Sequence, residues 1–134
     1  MLRRVLVVDD SELLHKMYDL TLRRYMTRGT QVVHALNGFE ALESLGKFAD
    51  IDLILLDVNM PRMSGIEFLR RRREDPTLRE IPVIMVTTEG ADEDAQLALR
   101  EGASSYVTKP FHPADLHARI EMLVGRTGDQ PANG

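Results

Sequence analysis

The sequence contains no cysteine and no tryptophan, few other aromatics, and no apolar run long enough to span a bilayer. Without cysteine there is no disulfide framework, thiol nucleophile or thiolate-held metal, and a reducing cytosol is the compartment expected by default. Basic residues are not in excess either: the net charge is −4, which argues against nucleic acid as the main partner. The opening MLRRVLVVDDSE is no secretory signal, because Asp9 and Asp10 cut short the apolar run of residues 5–8. Internal repeats and low-complexity segments are also missing. What remains is 134 residues, 43% hydrophobic and 28% charged, which is the size and composition of one ordered domain with a single core.

Short apolar runs alternate with amphipathic stretches. Strand-like segments are expected at 4–8, 31–35, 52–56, 81–87 and 105–108. Helical periods lie between them. Leu13, Met17 and Leu20 line one face of the first, and Ala41, Leu42 and Leu45 one face of the second. Ile66, Phe68 and Leu69 open a weaker third period, which gives way to Arg70, Arg71, Arg72 and Arg73. Ala95, Ala98 and Leu99 mark the fourth, with Gly102 placed to end it; Leu116, Ile120 and Leu123 mark the fifth, with Pro113 in its first turn. This βα alternation predicts an α/β fold: a five-stranded parallel sheet, doubly wound, with five flanking helices. The domain is expected over 1–124, with 125–134 as a short polar tail.

The stretch LILLDVNMP, residues 53–61, runs four large apolar side chains into a carboxylate. A strand buried on both faces tolerates an ionised group only where that group is paired or metal-bound. The other reactive side chains fall in the same place. Asp9 and Asp10 follow the first strand, Asp57 the third, Thr87 and Thr88 the fourth, and Lys109 the fifth. In doubly wound sheets, ligands bind outside the carboxyl ends of the strands, where the strand order reverses. With an order of 2-1-3-4-5 the aspartate pair would face Asp57. Three carboxylates brought together repel unless a cation joins them, and all-oxygen ligands favour Mg²⁺ with phosphate as a co-ligand. Lys109 and the Thr87 hydroxyl suit phosphoryl oxygens, and one carboxylate can act as the nucleophile. No Gly-rich phosphate loop is present, which argues against ATP as the direct donor.

In this order and spacing, VLVVDD (5–10), LILLDVNMPRMSG (53–65), PVIMVTTEG (82–90), GAS (102–104) and YVTKPF (106–111) resemble the receiver domains of two-component response regulators, most closely the stand-alone chemotaxis type. The resemblance covers about residues 3–124 and implies a flavodoxin-like sheet order of 2-1-3-4-5. It implies that Asp57 accepts phosphate from a histidine kinase or a small acyl phosphate. Asp10 would hold Mg²⁺ directly and Asp9 mainly through water, with the Asn59 backbone carbonyl also on the metal. Thr87 and Lys109 would hold the phosphoryl oxygens, and Tyr106 would be the switch aromatic that follows Thr87. Asn59 and Glu89 occupy the positions that tune hydrolysis, and Lys109-Pro110 matches the family's cis peptide. Thr88 departs mildly from a commonly smaller residue. The implied partners are a histidine kinase and a protein target that reads the phosphorylated surface, such as a flagellar motor switch, with no role for nucleic acid or membrane. A phosphorelay intermediate or a kinase-regulating receiver is the alternative within the family.

Other readings fit less well. An aspartyl-phosphate phosphohydrolase would carry a second aspartate two residues after the nucleophile, where this chain has Asn59. A flavin carrier would need a Ser/Thr/Gly-rich loop after the first strand, where this chain has Asp-Asp-Ser-Glu. A pseudo-receiver scaffold would have lost a site position, and none is lost. The arginine run reads as a solvated helix face. The acidic stretch 89–94 suits a helix N-terminus, and one of Asp9 and Asp10 is expected to help cap the first helix. His15, His34, His112 and His117 show no metal-ligand spacing, with His112 and His117 read as surface groups, and Tyr18, Tyr25 and the methionines as packing residues.

Overall fold

The computed structural model describes residues 2–60, 62–88 and 92–127, with side chains described as far as 124. Ten elements alternate along the chain: β1 (Arg4–Val8), α1 (Glu12–Met26), β2 (Gln31–Ala35), α2 (Gly38–Lys47), β3 (Ile51–Asp57), α3 (Gly65–Arg73), β4 (Val83–Thr88), α4 (Asp92–Arg100), β5 (Ser105–Lys109) and α5 (Pro113–Thr127). The strands form one parallel sheet in the order β2-β1-β3-β4-β5. Fold class and strand order are as the sequence implied. The strand limits differ by a residue or two, and α5 takes in the first three residues expected in the tail.

Both faces of the sheet are buried, which explains the unbroken apolar runs. Leu6, Val8, Ile54, Leu56, Val83 and Met85 face α2, α3 and α4. The alternate residues Val5, Val7, Leu53, Leu55, Ile84 and Val86 face α1 and α5. No described helix is long and apolar enough to cross a membrane.

The first helix corrects the expected pattern. Leu13 and Leu20 are 70% and 63% exposed, and Met17 is also exposed. The buried face is instead His15, Tyr18, Thr21, Leu22 and Tyr25, so the true stripe is displaced around the helix from the aliphatic one. Tyr18 stacks on Phe111 with ring centroids 5.1 Å apart, which places the aromatic bulk against the core. In α4, Ala95 and Ala98 are buried while Leu99 stays exposed. A Schellman-type end follows: Ala103 N–H donates to Ala98 O and Gly102 N–H to Leu99 O, with Gly102 at φ +113°.

The four arginines are not one solvated face. Arg70 and Arg73 both ion-pair with Glu101, at 3.3 and 3.1 Å, tying α3 to the end of α4. Arg71 pairs with Glu67 one turn back. Arg72 is only 3% exposed; its guanidinium donates to the Arg79 carbonyl at 2.9 Å and to the Ile81 carbonyl at 3.2 Å. Consecutive positions point around the whole helix, so one of four had to face inward. Arg72→Met keeps the buried bulk but removes these charge-assisted bonds. It is expected to cost about 2–3 kcal/mol in urea unfolding.

His117 likewise is not a free surface group. Its ring lies 5.6 Å from the Tyr25 ring at the α1–α5 contact, its Nδ1 is buried without a partner, and the Tyr25 hydroxyl donates to Glu121 at 2.9 Å. Burial, with Arg24 close by, holds the imidazole below its ordinary value of 6.5. The folded state therefore prefers neutral His117. Its contribution is complete above the unfolded value and is lost as pH falls and the unfolded chain takes up the proton. The melting temperature is expected to fall from pH 7 to 5, with a shallower fall in His117→Phe.

Candidate functional site

Strand register assembles the site. Val8 pairs with Leu56, so Asp9 follows beside Asp57 at the end of β3. Asp57 pairs with Val86, one residue before Thr87, and Thr88 pairs with Lys109. Asp57 lies on the same side of its strand as Leu53 and Leu55, and Asp9 on the same side as Val5 and Val7. Both acids therefore emerge on the α1/α5 side, at the crevice where β1 and β3 diverge towards opposite edges of the sheet.

One carboxylate oxygen from each of Asp9, Asp10 and Asp57 lies within 4.8 Å of the others. Asp9 and Asp57 are buried, while Asp10 is exposed at the rim. Lys109 Nζ sits between the two buried acids, 3.1 Å from Asp57 Oδ1 and 3.3 Å from Asp9 Oδ2. Asp57 Oδ1 also accepts a long bond from Asn59 N–H at 3.4 Å. Asp9 Oδ1 accepts from Ser11 N–H at 2.9 Å. The cap of α1 is Ser11, whose hydroxyl accepts from Leu14 N–H, so the expected aspartate helps only through this bond to the capping residue.

Burial, then the charge of Asp9, raises the pKa of Asp57, with Lys109 opposing both. Burial alone would lower Lys109, but Asp57 and then Asp9 outweigh it and hold the ammonium above its ordinary value. Asp9 Oδ2 is buried with no aligned hydrogen bond, since the Lys109 contact is an ion pair only. An orphaned buried carboxylate oxygen beside two further carboxylates is the donor set of a hard divalent cation. The residues fit such an ion, with Asp9, Asp10 and Asp57 as its holders.

Thr87 is buried at the end of β4, its hydroxyl 3.5 Å from the Val107 carbonyl. Tyr106 is half-buried against the α2–α4 face of the sheet, the side to which strand alternation also assigns Thr87. Asn59 and Thr88 are exposed, and Lys109-Pro110 is cis. Glu89, expected to tune hydrolysis, lies outside the described residues.

Sequence reasoning missed one constellation behind the site. His15 Nδ1 lies 2.6 Å from His34 Nδ1, and His15 Nε2 lies 2.7 Å from the Asp9 backbone oxygen. The two histidines have no spacing signal, because the β1–α1–β2 crossover alone brings them together.

A doubly wound parallel sheet with an acidic cluster at its carboxyl edge is the arrangement of a receiver-type α/β protein, and comparison with known proteins agrees. The response regulator receiver domain family matches residues 5–121, and the chain belongs to that family. It is 38% identical over 122 residues to the chemotaxis protein CheY1 of Helicobacter pylori, covering 91% of this chain and 97% of that protein. It is 39% identical to the phosphate regulon transcriptional regulatory protein PhoB of Escherichia coli, covering 94% of this chain but 53% of that longer protein. Among solved structures, chemotaxis protein CheY4 of Vibrio cholerae superposes with a TM-score of 0.80 at 35% identity, covering 91% and 98% of the two chains. The receiver domain of a Syntrophus aciditrophicus histidine kinase superposes with a TM-score of 0.82 at 31% identity, covering 97% and 96%.

Proposed function

We propose that this chain is a cytoplasmic response regulator of the receiver type. A histidine kinase phosphorylates it on Asp57 in a Mg²⁺-dependent reaction, and a protein partner reads the phosphorylated state in chemotaxis. The observation that carries this reading is the buried Asp57 carboxylate held beside Lys109, Asp9 and Asp10 at the carboxyl edge of the sheet. Similarity to the chemotaxis proteins CheY1 and CheY4 supports the chemotaxis pathway.

An Asp57 carboxylate oxygen attacks the phosphorus of a phosphohistidine. The P–N bond breaks, and its electron pair leaves with the imidazole, which takes a proton from solvent. In the return step water attacks phosphorus, the P–O bond to Asp57 breaks, and inorganic phosphate leaves. The chain thus acts on itself and turns over no metabolite. Asp10, Asp57 and the Asn59 carbonyl would hold Mg²⁺, with Asp9 acting mainly through water, and the ion would supply charge neutralisation for the phosphoryl oxygens. Lys109 shifts its contact from the bare carboxylates to a phosphoryl oxygen, and the Thr87 hydroxyl donates to another. Movement of Thr87 frees Tyr106 to turn inward, biasing a two-state surface around α4, β5 and α5. Asn59 and Glu89 set how readily water reaches phosphorus.

The test is incubation with acetyl phosphate and Mg²⁺, read by intact-protein mass. One phosphoryl group, labile to hydroxylamine and absent with a chelator, is expected. An unlabelled chain would overturn the reading.

A further inference from the structure

The main chain of Asp9 is fastened on both sides by groups outside the acidic cluster. Its N–H donates to Ala35 O on β2 at 3.1 Å, and its carbonyl faces His15 Nε2 at 2.7 Å. With Oδ1 taken by Ser11 N–H, only Oδ2 is left facing the cluster. We propose that His15 is a positioning residue for the metal-binding loop, itself oriented by His34 and Asp19. This rests on the reading of Asp9, Asp10 and Asp57 as the cation-holding set.

Hydrogen-bond direction carries the argument. A carbonyl oxygen only accepts, so His15 Nε2 bears the hydrogen. At the far end His34 Nε2 lies 2.9 Å from Asp19 Oδ1. The two Nδ1 atoms face each other 2.6 Å apart, which links the two rings. The chain is ordered throughout: Asp9 carbonyl, His15, His34, Asp19 carboxylate. The edge-to-face packing of the rings, with centroids 4.6 Å apart, fixes the orientation of the buried one.

The 2.6 Å separation is too short for two nitrogens on one metal ion, which sit about 3.2 Å apart at normal bond lengths. His15 therefore acts on the site through Asp9 and binds no cation of its own. Such outer-shell partners fix ligand orientation, and their loss typically lowers metal affinity by about tenfold or more.

The experiment combines Mg²⁺ titration by calorimetry on the native chain, His15→Leu and His15→Gln with proton–nitrogen NMR of the native imidazoles. Leu fills the buried space without a donor. Gln returns an amide N–H near the Nε2 position. At least a tenfold loss of Mg²⁺ affinity is expected in His15→Leu, with substantial recovery in His15→Gln and a hydrogen on Nε2 of native His15. Equal affinity in all three proteins overturns the inference while leaving phosphorylation of Asp57 standing. A native His15 with a bare Nε2 overturns it even if neither variant folds. A native chain that binds no Mg²⁺ and accepts no phosphate overturns both readings together.

Discussion

Asp57→Asn is expected to remove all labelling by acetyl phosphate and, in the same protein, to raise the melting temperature of the metal-free chain. The first effect follows from chemistry: the amide has no anionic oxygen to attack phosphorus, and Asp9, the other buried acid, has Oδ1 committed to Ser11. The second follows from electrostatics. Burial and Asp9 raise the pKa of Asp57 from its ordinary value of 3.8, so folding favours the protonated acid. Stability contributed by this group is therefore highest below the unfolded value and declines as pH rises through the folded one. The ionised form carries the penalty of burial and of Asp9, only partly offset by the Lys109 ion pair at 3.1 Å. Asparagine removes that penalty with little change of shape. The gain in melting temperature over the native chain should shrink as pH is lowered and the native acid takes up its proton as well. Added Mg²⁺ should stabilise the native chain more than the variant, because the cation binds only the folded cluster. A label that persists in Asp57→Asn would sink the phosphoacceptor assignment.

A site that destabilises the fold has to be paid for by its scaffold, and much of that scaffold was readable in the chain. Runs such as LILL announced strands buried on both faces, and Asp9, Asp10, Asp57 and Lys109 at the ends of such runs are found together. That succeeded because parallel strands of similar length end at one edge, so chemistry at strand ends becomes chemistry at one place. Side-chain facing inside helices was less legible. Leu13, Met17 and Leu20 make a proper helical stripe yet face solvent, because Leu22 and the larger Tyr18 and Tyr25 make a competing stripe and reach the core. Hydrophobicity alone does not choose between two such stripes. Arg72 shows the converse, a charged residue drawn inside because the Arg79 and Ile81 carbonyls satisfy its guanidinium. The His15–His34 contact was out of reach, since nothing local in α1 or β2 reports the register that joins them.

Gly65→Ala is expected to damage the scaffold and the chemistry together, although it lies outside the acidic cluster. Gly65 opens α3, and its N–H donates to Val58 O at 2.9 Å, pulling the helix start against the end of β3. A Cβ at this position would overlap the Asp57 carbonyl oxygen and stand 3.0 Å from Val58 Cα and 3.1 Å from Met85 Cε. Two of these three neighbours are backbone, so no rotamer change relieves the clash, and either α3 or the Asp57 peptide must move. Overpacking of this kind costs about 2–3 kcal/mol, to be read as a lower urea midpoint. The loss should also reach the chemistry, because an acid displaced by about an ångström slows transfer by about a hundredfold. Gly46 supplies the control. It lies near the end of α2 with nothing within 4 Å of a built Cβ, so Gly46→Ala should stabilise the chain by about 0.5–1 kcal/mol through helix propensity and leave labelling unchanged. If Gly65→Ala melted and labelled like the native chain, the close approach of α3 to Asp57 would not be what holds the acid in place.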